Sequence, residues 1–474
     1  MANPLVSIVI PAYKGGRLLC EAIQSVLDQT YRNLELIVVD DCCPENTHES
    51  VRQFGGDPRV LCIVHGQNLG AVAARKTGFQ VSSGEILIFL DQDDLIHPEK
   101  VRAHVDFLEA HPEVGVSYNG RLDIEHPSNA ILGIWMPPPR VELPDVILGY
   151  PFAPSDTVYR REWVAIDEVW DERFVRRGKE MIPNGGEIVA LGRMALNGCQ
   201  FGGISRALNS RRYHPRRTLH DLYARCEAEL HCQEMILSDP RCPEEVKRLC
   251  PAAFTNTNLV FSYYAFAQSE NQLGGQLLEQ AVRLTPALME GTPCSLVKWM
   301  AEKSSSLRQQ DHEALLRRAF TDLPGSLSSL APQCDWAVAR GYLLRAVRAI
   351  IWGPASESEA HLAQARRFNA EVDDSFLEQL NHLLLNHETT FGPAAARETA
   401  DRLVDALRRL GKPRAASRLR ARSLVTRAFR SYNGRQFAKV PLLLMPAIVK
   451  DPRYLLNRGV FSIFFRSVLL GKAS

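Results

Sequence analysis

The chain has 474 residues, more than one hydrophobic core usually serves, so two or three domains are expected. Apolar residues make up 45% and charged residues 23%, ordinary values for a globular protein that exclude disorder as the default reading. A net charge of +2 argues against a dedicated nucleic-acid binder and leaves room only for a local basic face.

Residues 6–10 read as a buried strand, and 17–29 as a helix with Leu18, Ala22, Val26 and Gln29 near one face. Residues 34–39 form a second strand that ends on Asp40 and Asp41, and 60–64 a third. A small-residue-rich helix over 70–81 precedes a fourth strand over 85–90, which runs into Asp91. Another helix starts at Pro98, a favoured first-turn residue, and 114–118 make a fifth strand. Strands separated by helical segments imply parallel βαβ units with both sheet faces covered, an α/β fold of Rossmann-like type. In such sheets ligands bind beyond the carboxyl ends of the strands, where the acidic residues fall here.

After about residue 220, helical periodicity dominates and strand alternation is lacking. Two segments 166 residues apart look related: Phe266, Leu277, Leu278, Ala281, Val282 and Pro286 align with Tyr432, Leu443, Leu444, Ala447, Ile448 and Pro452. Each reads as an aromatic-bearing helix, a turn, then a helix ending before proline. The second domain, 221–474, is therefore expected to be all-α, either tetratricopeptide-like helix pairs or a bundle. The first domain is placed at 1–220.

Eleven cysteines are scattered without a C-x-x-C pair, and the neighbours Cys42 and Cys43 do not suit disulfide geometry. Reduced cysteines in a cytoplasmic protein are expected. The opening MANPLVSIVIPAYKGG lacks the basic region of a signal peptide, and no stretch reaches the roughly 18 apolar residues of a membrane span.

LDQDD, from Leu90 to Asp94, is the strongest local signal. Three carboxylates within four residues repel one another, and a hard divalent cation such as Mg²⁺ or Mn²⁺ would justify them, sharing its oxygen ligands with substrate phosphates. A solvated turn capping the next helix is the structural alternative.

The segment VSIVIPAYKGGRLLCEAIQSVLDQTYRNLELIVVDD, followed by NLGAVAARKTGF and SGEILIFLDQDD, resembles inverting family 2 glycosyltransferases with the GT-A fold, over about the first 215 residues. The resemblance implies that Pro11 and Tyr13 flank the nucleobase and that Asp40 accepts a hydrogen bond from a uracil ring. It places Gly70 and Arg75 beside the nucleotide, Asp91 and Asp93 on the ribose and metal, and Asp94 as the alternative metal ligand. UDP is the implied carrier; GDP and dTDP are the alternatives.

An inverting transfer is a single in-line displacement, so the acceptor hydroxyl must lose a proton to a base. In the family the base is an acidic residue opening a helix, with an arginine about two turns on. In GGEIVALGRMALNG, Arg193 as that arginine puts Glu187 on the base position; in the other register Ile188 replaces the base. SRRYHPRR offers Arg211, Arg212 and His214 to the donor phosphates, where cations would stabilise the departing diphosphate. The Q-x-x-R-W signature of processive synthases is absent, which implies one or a few sugars added per encounter. Cys42-Cys43 and Lys76 depart from residues common in the family.

The acceptor side is expected within 121–171, where Trp135, Tyr150, Phe152 and Trp163 either stack on sugar rings or pack in the core, and Ser155 and Asp156 touch the acceptor. A glycan or lipid-linked acceptor is implied. The basic stretch 408–435, with Phe461, Phe464 and Phe465, reads either as a peripheral contact with the cytoplasmic membrane face or as a solvated arginine face beside core aromatics. Two rivals stand against the transferase. One is a non-catalytic scaffold in a glycan-assembly complex, favoured by Ile188; the other is a nucleotidyltransferase, disfavoured because the first strand lacks a glycine-rich lysine loop after it.

Overall fold

A computed structural model of the chain describes residues 3–44, 47–149, 152–164, 176–177, 180–181, 186–214, 221–306, 311–353 and 355–470. It divides into two compact units, Met1–Cys334 and Asp335–Ser474.

The first unit opens with β1 (Val6–Ala12), α1 (Gly16–Leu27), β2 (Leu34–Asp40), α2 (Thr47–Arg52), β3 (Val60–Val64), α3 (Ala71–Val81) and β4 (Ile86–Phe89). These are the alternating strands and helices that the periodicity predicts. Then come β5 (Leu95–Ile96), α4 (Lys100–Ala110), β6 (Val114–Glu125), β7 (Ile131–Trp135), β8 (Arg140–Val141), α5 (Leu143–Gly149) and β9 (Thr157–Arg160). A small hairpin of β10 (Arg176–Arg177) and β11 (Glu180–Met181) precedes α6 (Gly186–Leu196) and the long β12 (Gln200–Tyr213).

The main sheet runs β3-β2-β1-β4-β9-β6-β12-β5, with β7 on β6 and β8 on β12. Its first four strands are parallel, in register Val6 to Leu34 and Val6 to Ile86. β9 then inserts antiparallel between β4 and β6, so the sheet is mixed rather than wholly parallel. Pleating sends Ile8 and Ile10 into one core beneath α1 and α4, while Val9 enters the opposite core with Ile37 and Val39. Both faces are covered, which is why these strands are apolar without a polar alternation.

Helices α7 (Leu222–Leu237), α8 (Glu244–Lys247), α9 (Cys250–Ala267), α10 (Asn271–Leu284), α11 (Ser295–Ser304) and α12 (His312–Thr321) complete the unit. The sheet ends at Tyr213, yet the compact unit continues to Cys334. Cys232 and Ile236 of α7 and Ala253 of α9 belong to the same apolar cluster as Val9 and Val39.

The second unit holds α13 (Cys334–Trp352), α14 (Ala355–Arg367), α15 (Asp374–Arg409), α16 (Pro413–Asn433), α17 (Lys439–Lys450) and α18 (Arg458–Leu470). α15 breaks at Gly392, whose φ of 86° no side-chain-bearing residue adopts readily, just before Pro393. The two related segments are both helix pairs, α9–α10 and α16–α17, each followed by a 3-10 turn that starts at the aligned proline, Pro286 or Pro452. The basic stretch lies largely on α16, and much of its charge is neutralised within the unit. Arg420 pairs with Asp401 at 2.5 Å, Arg422 with Asp374 at 2.9 Å, and Arg430 with Glu388 at 3.4 Å. Phe464 is half-buried against the core of this unit, whereas Phe461 and Phe465 are exposed.

Candidate functional site

The loops after β1, β2 and β4 meet at the carboxyl edge of the parallel strands. β1 ends at Ala12, and the chain turns through Lys14 at φ 56°. The Gln92 side chain accepts the Tyr13 N–H at 2.9 Å and donates to the Tyr13 carbonyl at 2.8 Å, clamping the β1 loop to the β4 loop. A Cβ at Gly15 would stand 2.5 Å from Gln92 Oε1 and 2.8 Å from Leu19 Cβ, so any larger residue there would have to displace the clamp. Lys14 N–H donates to Cys43 Sγ at 3.1 Å, and Cys43 N–H donates to Asp40 Oδ1 at 2.9 Å. The cysteine that departs from the family pattern is thus part of the loop contact. Tyr13 is exposed, Pro11 is buried within β1, and Asp40 is buried at the end of β2.

Asp41 has a structural task that its neighbours in sequence do not reveal. It accepts the N–H groups of Leu69 and Gly70, at 2.8 and 2.6 Å, and lies 2.8 Å from His65 Nδ1, while His65 Nε2 meets Thr77 at 2.9 Å. The loop leading into α3 is therefore pinned to the end of β2. Gly70 sits at φ 88°, ψ 163°, a region essentially confined to glycine. Gly70→Ala should cost about 1–3 kcal/mol, read as a shift in urea midpoint.

Arg75 of α3 donates to Asp91 at 2.9 Å, and His214, just past β12, lies 3.1 Å from the Asp93 carboxylate. The side chains of Asp91 and Asp93 keep 26% and 23% of their surface, enough to meet a ligand. Asp94 differs. It is 1% exposed and accepts the Ser155 hydroxyl at 2.8 Å and the Arg212 N–H at 3.3 Å. These two bonds, one on each carboxylate oxygen, tie the buried Asp94 into the support of the loop, whereas Asp91 and Asp93 keep exposed surface.

Arg212 is also a support. Its guanidinium donates to the Asp93 carbonyl at 2.5 Å, to the Leu18 carbonyl at 2.8 Å and to Glu21. Burial presses its charge down from the ordinary value, and Glu21 and Asp94 oppose that. Arg211 instead pairs with Asp123 at 3.0 Å. The His214 side chain of the SRRYH group reaches the Asp93 carboxylate of LDQDD.

Ser155 and Asp156, expected at the acceptor, are both fully buried. Ser155 Oγ accepts the Asp91 N–H at 3.2 Å, and Asp156 accepts Arg121 at 2.5 Å, Asn209 at 2.8 Å and the Ala153 N–H at 2.7 Å. They form the floor beneath the acidic loop instead of an acceptor surface. Sequence reasoning missed the rest of this floor. Lys100 Nζ, fully buried, donates to Asn119 at 2.5 Å and to the Ser155 carbonyl at 2.7 Å, and His104 contacts Ser117 and Asn119 at 2.7 and 2.8 Å. The available signal was periodicity: Lys100 and His104 share the buried stripe of α4 with Val101, Val105 and Leu108.

Burial pushes the Lys100 ammonium down to about 7, although Asp156 and Asp94 oppose it. The unfolded chain holds that proton up to the ordinary value of 10.5, so the folded state binds fewer protons between the two. Stability from this group should rise with pH through that window. Urea midpoints of wild type and Lys100→Met, compared from pH 7 to about pH 9.5, should diverge in favour of wild type as pH rises.

Phe152 is buried in the core, and Trp135 and Trp163 are partly buried against it. Trp135 lies under the Arg121 guanidinium at 4.7 Å and edge-on to Phe152 at 6.0 Å, and Trp163 packs against the same core. Tyr150 lies outside the described residues. So does the side chain of Glu187, whose backbone lies in the first turn of α6. Ile188, the alternative occupant of the base position, is 4% exposed in the apolar core. Arg193, six residues on from Glu187, adds its charge to the forces that hold Asp239 down at about 2, behind the Arg241 hydrogen bond.

Residues 7–162, within the mixed α/β sheet domain, match the family model of Glycosyl transferase family 2. An uncharacterized glycosyltransferase of Rickettsia typhi is 37% identical over 106 residues, covering 22% of this chain and 32% of the relative. The UDP-Glc:alpha-D-GlcNAc-diphosphoundecaprenol beta-1,3-glucosyltransferase WfgD of Escherichia coli is 33% identical over 141 residues, covering 30% of this chain and 54% of the relative. The chain thus spans between about a third and about half of the length of these two relatives. Among solved structures, S. aureus TarS 1–349 in complex with UDP is similar at TM-score 0.40 and 14% identity, over 76% of this chain and 91% of that one.

Proposed function

We propose that this chain, which carries a glycosyl transferase family 2 domain over residues 7–162, is an inverting glycosyltransferase that moves a sugar from a UDP-sugar to a glycan or lipid-linked acceptor. The observation that carries the reading is the pair Asp91 and Asp93. Both are partly exposed at the end of β4, one held by Arg75 and the other beside His214. The Gln92 side chain clamps the Tyr13 backbone, so the exposed Tyr13 and the two carboxylates stand on adjoining loops at the carboxyl edge of the sheet, where a nucleotide would meet them. The E. coli relative is named for a UDP-sugar donor and a diphosphoundecaprenol-linked acceptor, which supports both halves of the proposal.

The donor set fits Mg²⁺ or Mn²⁺: two carboxylates on one loop leave several positions for substrate phosphates and water, as such cations prefer. A bound cation would neutralise charge on the diphosphate as the glycosidic bond breaks. Arg212 fixes the backbone of Asp93, and Arg75 fixes the carboxylate of Asp91, so neither ligand has to be ordered at the moment of reaction. His214 can donate to the leaving diphosphate when protonated. We assign Glu187 as the base because position 188 points into the apolar core, where an ionised carboxylate would be strongly disfavoured.

UDP release over a panel of nucleotide sugars, with Mg²⁺ or Mn²⁺, tests the reading. One donor should turn over, and Asp93→Ala should lower its rate by about 10²–10³-fold, the usual cost of removing a stabiliser of transition-state charge. Absence of both UDP release and calorimetric UDP binding would favour the non-catalytic scaffold.

A further inference from the structure

The last two helices of the second unit present an apolar surface that the unit itself does not cover. α17 buries Val440, Leu444 and Ala447 against its neighbours. On the opposite side, by helical periodicity, Leu442, Met445 and Val449 are 73%, 55% and 78% exposed. A helix apolar on both faces is normally buried on both. The following turn adds Leu455 and Leu456, the latter 88% exposed. α18 repeats the arrangement, with Val460 and Ile463 inside and Phe461, Phe465 and Leu469 outside. An array of this size on three successive elements is not the scattered exposure of single apolar residues that soluble surfaces ordinarily show.

Charge decides the occupant. Between residues 439 and 470 the sequence holds one acidic residue, Asp451, against Lys439, Lys450, Arg453, Arg458 and Arg466. Asp451 is buried and bound to Arg453 at 2.7 Å, so it is already neutralised. Among the described residues, no carboxylate pairs with Lys439, Lys450, Arg458 or Arg466. A second copy seated on this face by twofold symmetry would bring like charges together. A surface offering both hydrocarbon and negative charge satisfies both features at once.

We propose that α17, the 452–456 turn and α18 dock the protein onto an anionic lipid surface, with their exposed apolar side chains entering the interface and the lysines and arginines meeting lipid phosphates. The attachment is peripheral. At 12 and 13 residues the two helices are too short to span a bilayer, and among the described residues no helix is long and apolar enough to cross a membrane. The basic stretch on α16 contributes less than its composition suggests, since Arg420, Arg422 and Arg430 are engaged by carboxylates of α15. This docking stands independently of the transferase reading.

Sedimentation of the full chain with vesicles tests it. Binding to phosphatidylcholine vesicles carrying roughly 30% phosphatidylglycerol should be at least about tenfold tighter than to phosphatidylcholine alone, and should weaken as salt is raised. The double variants Leu442→Gln/Val449→Gln and Phe461→Ser/Phe465→Ser should each lose about tenfold in vesicle affinity. Because these positions are exposed, thermal unfolding and UDP release in detergent-free buffer should be unchanged. Equal binding to both vesicle types, or no binding, would overturn the proposal. So would a concentration-dependent dimer, seen by sedimentation velocity, that the same substitutions abolish.

Discussion

Glu187→Gln is expected to lower sugar transfer by about 10²–10⁴-fold while UDP affinity stays at the wild-type level, the signature of a lost general base. Glutamine matches glutamate in size and still forms hydrogen bonds, so the helix start at Gly186 should survive the change. What disappears is the capacity to take a proton. The acceptor hydroxyl then attacks without assistance, and the barrier rises although donor, loop and metal ligands are intact. A second readout separates this from a structural role: the wild-type rate should fall as pH drops through the titration of a carboxylate, and the variant should lack that limb. Unchanged turnover would remove Glu187 from the reaction. Loss of UDP binding in proportion to turnover would make it a donor-side residue instead.

Asp156→Ala is expected to destabilise the first unit by about 3–5 kcal/mol, the cost of breaking a buried ion pair by removing one member. Asp156 is fully buried and accepts from Arg121, Asn209 and the Ala153 N–H. Alanine would remove the closer carboxylate from the Arg121 guanidinium, whose side chain keeps only 10% of its surface, and would take an acceptor from the buried Asn209 amide. Urea denaturation measures the effect. Asp156→Asn, which retains one acceptor oxygen but not the charge, should fall between. By contrast, breaking the surface pair Arg206–Glu99, half-exposed on both sides, should cost no more than about 1 kcal/mol. The functional corollary lies one residue away. Ser155 holds the Asp91 N–H and the Asp94 carboxylate, so a disturbed 154–156 turn should also weaken donor binding.

The sequence by itself was sufficient for features whose cause is local. Runs such as LELIVV, short, rich in β-branched residues and all apolar but for one glutamate, favour strands with both faces covered, and β2 forms over Leu34–Asp40. The placement of Asp40, Asp91 and Asp93 at strand ends follows from the same runs, because a carboxylate needs hydrogen-bond donors that a loop supplies and an apolar strand interior does not. The helical character beyond residue 220 follows from 3.6-residue periodicity. The antiparallel insertion of β9 was not legible, since its four residues resemble many short segments and its position depends on both neighbours.

Only the tertiary structure decided which polar residues stay exposed on the acidic loop and which hold it. Asp91, Asp93 and Asp94 are nearly equivalent in sequence, yet the first two are partly exposed and the third is sealed by Ser155 and Arg212, residues 61 and 118 positions away. Arg212 and His214 are two residues apart, and one is spent on Leu18, Glu21 and the Asp93 backbone while the other meets the Asp93 carboxylate. The same holds for α16, where arginines that read as a basic face find partners on α15, and for α17, where the second apolar face has none within its unit. Periodicity sets which residues share a side of an element. Whether that side is covered, and by which charge, depends on chain segments far away in sequence, and no local pattern encodes it.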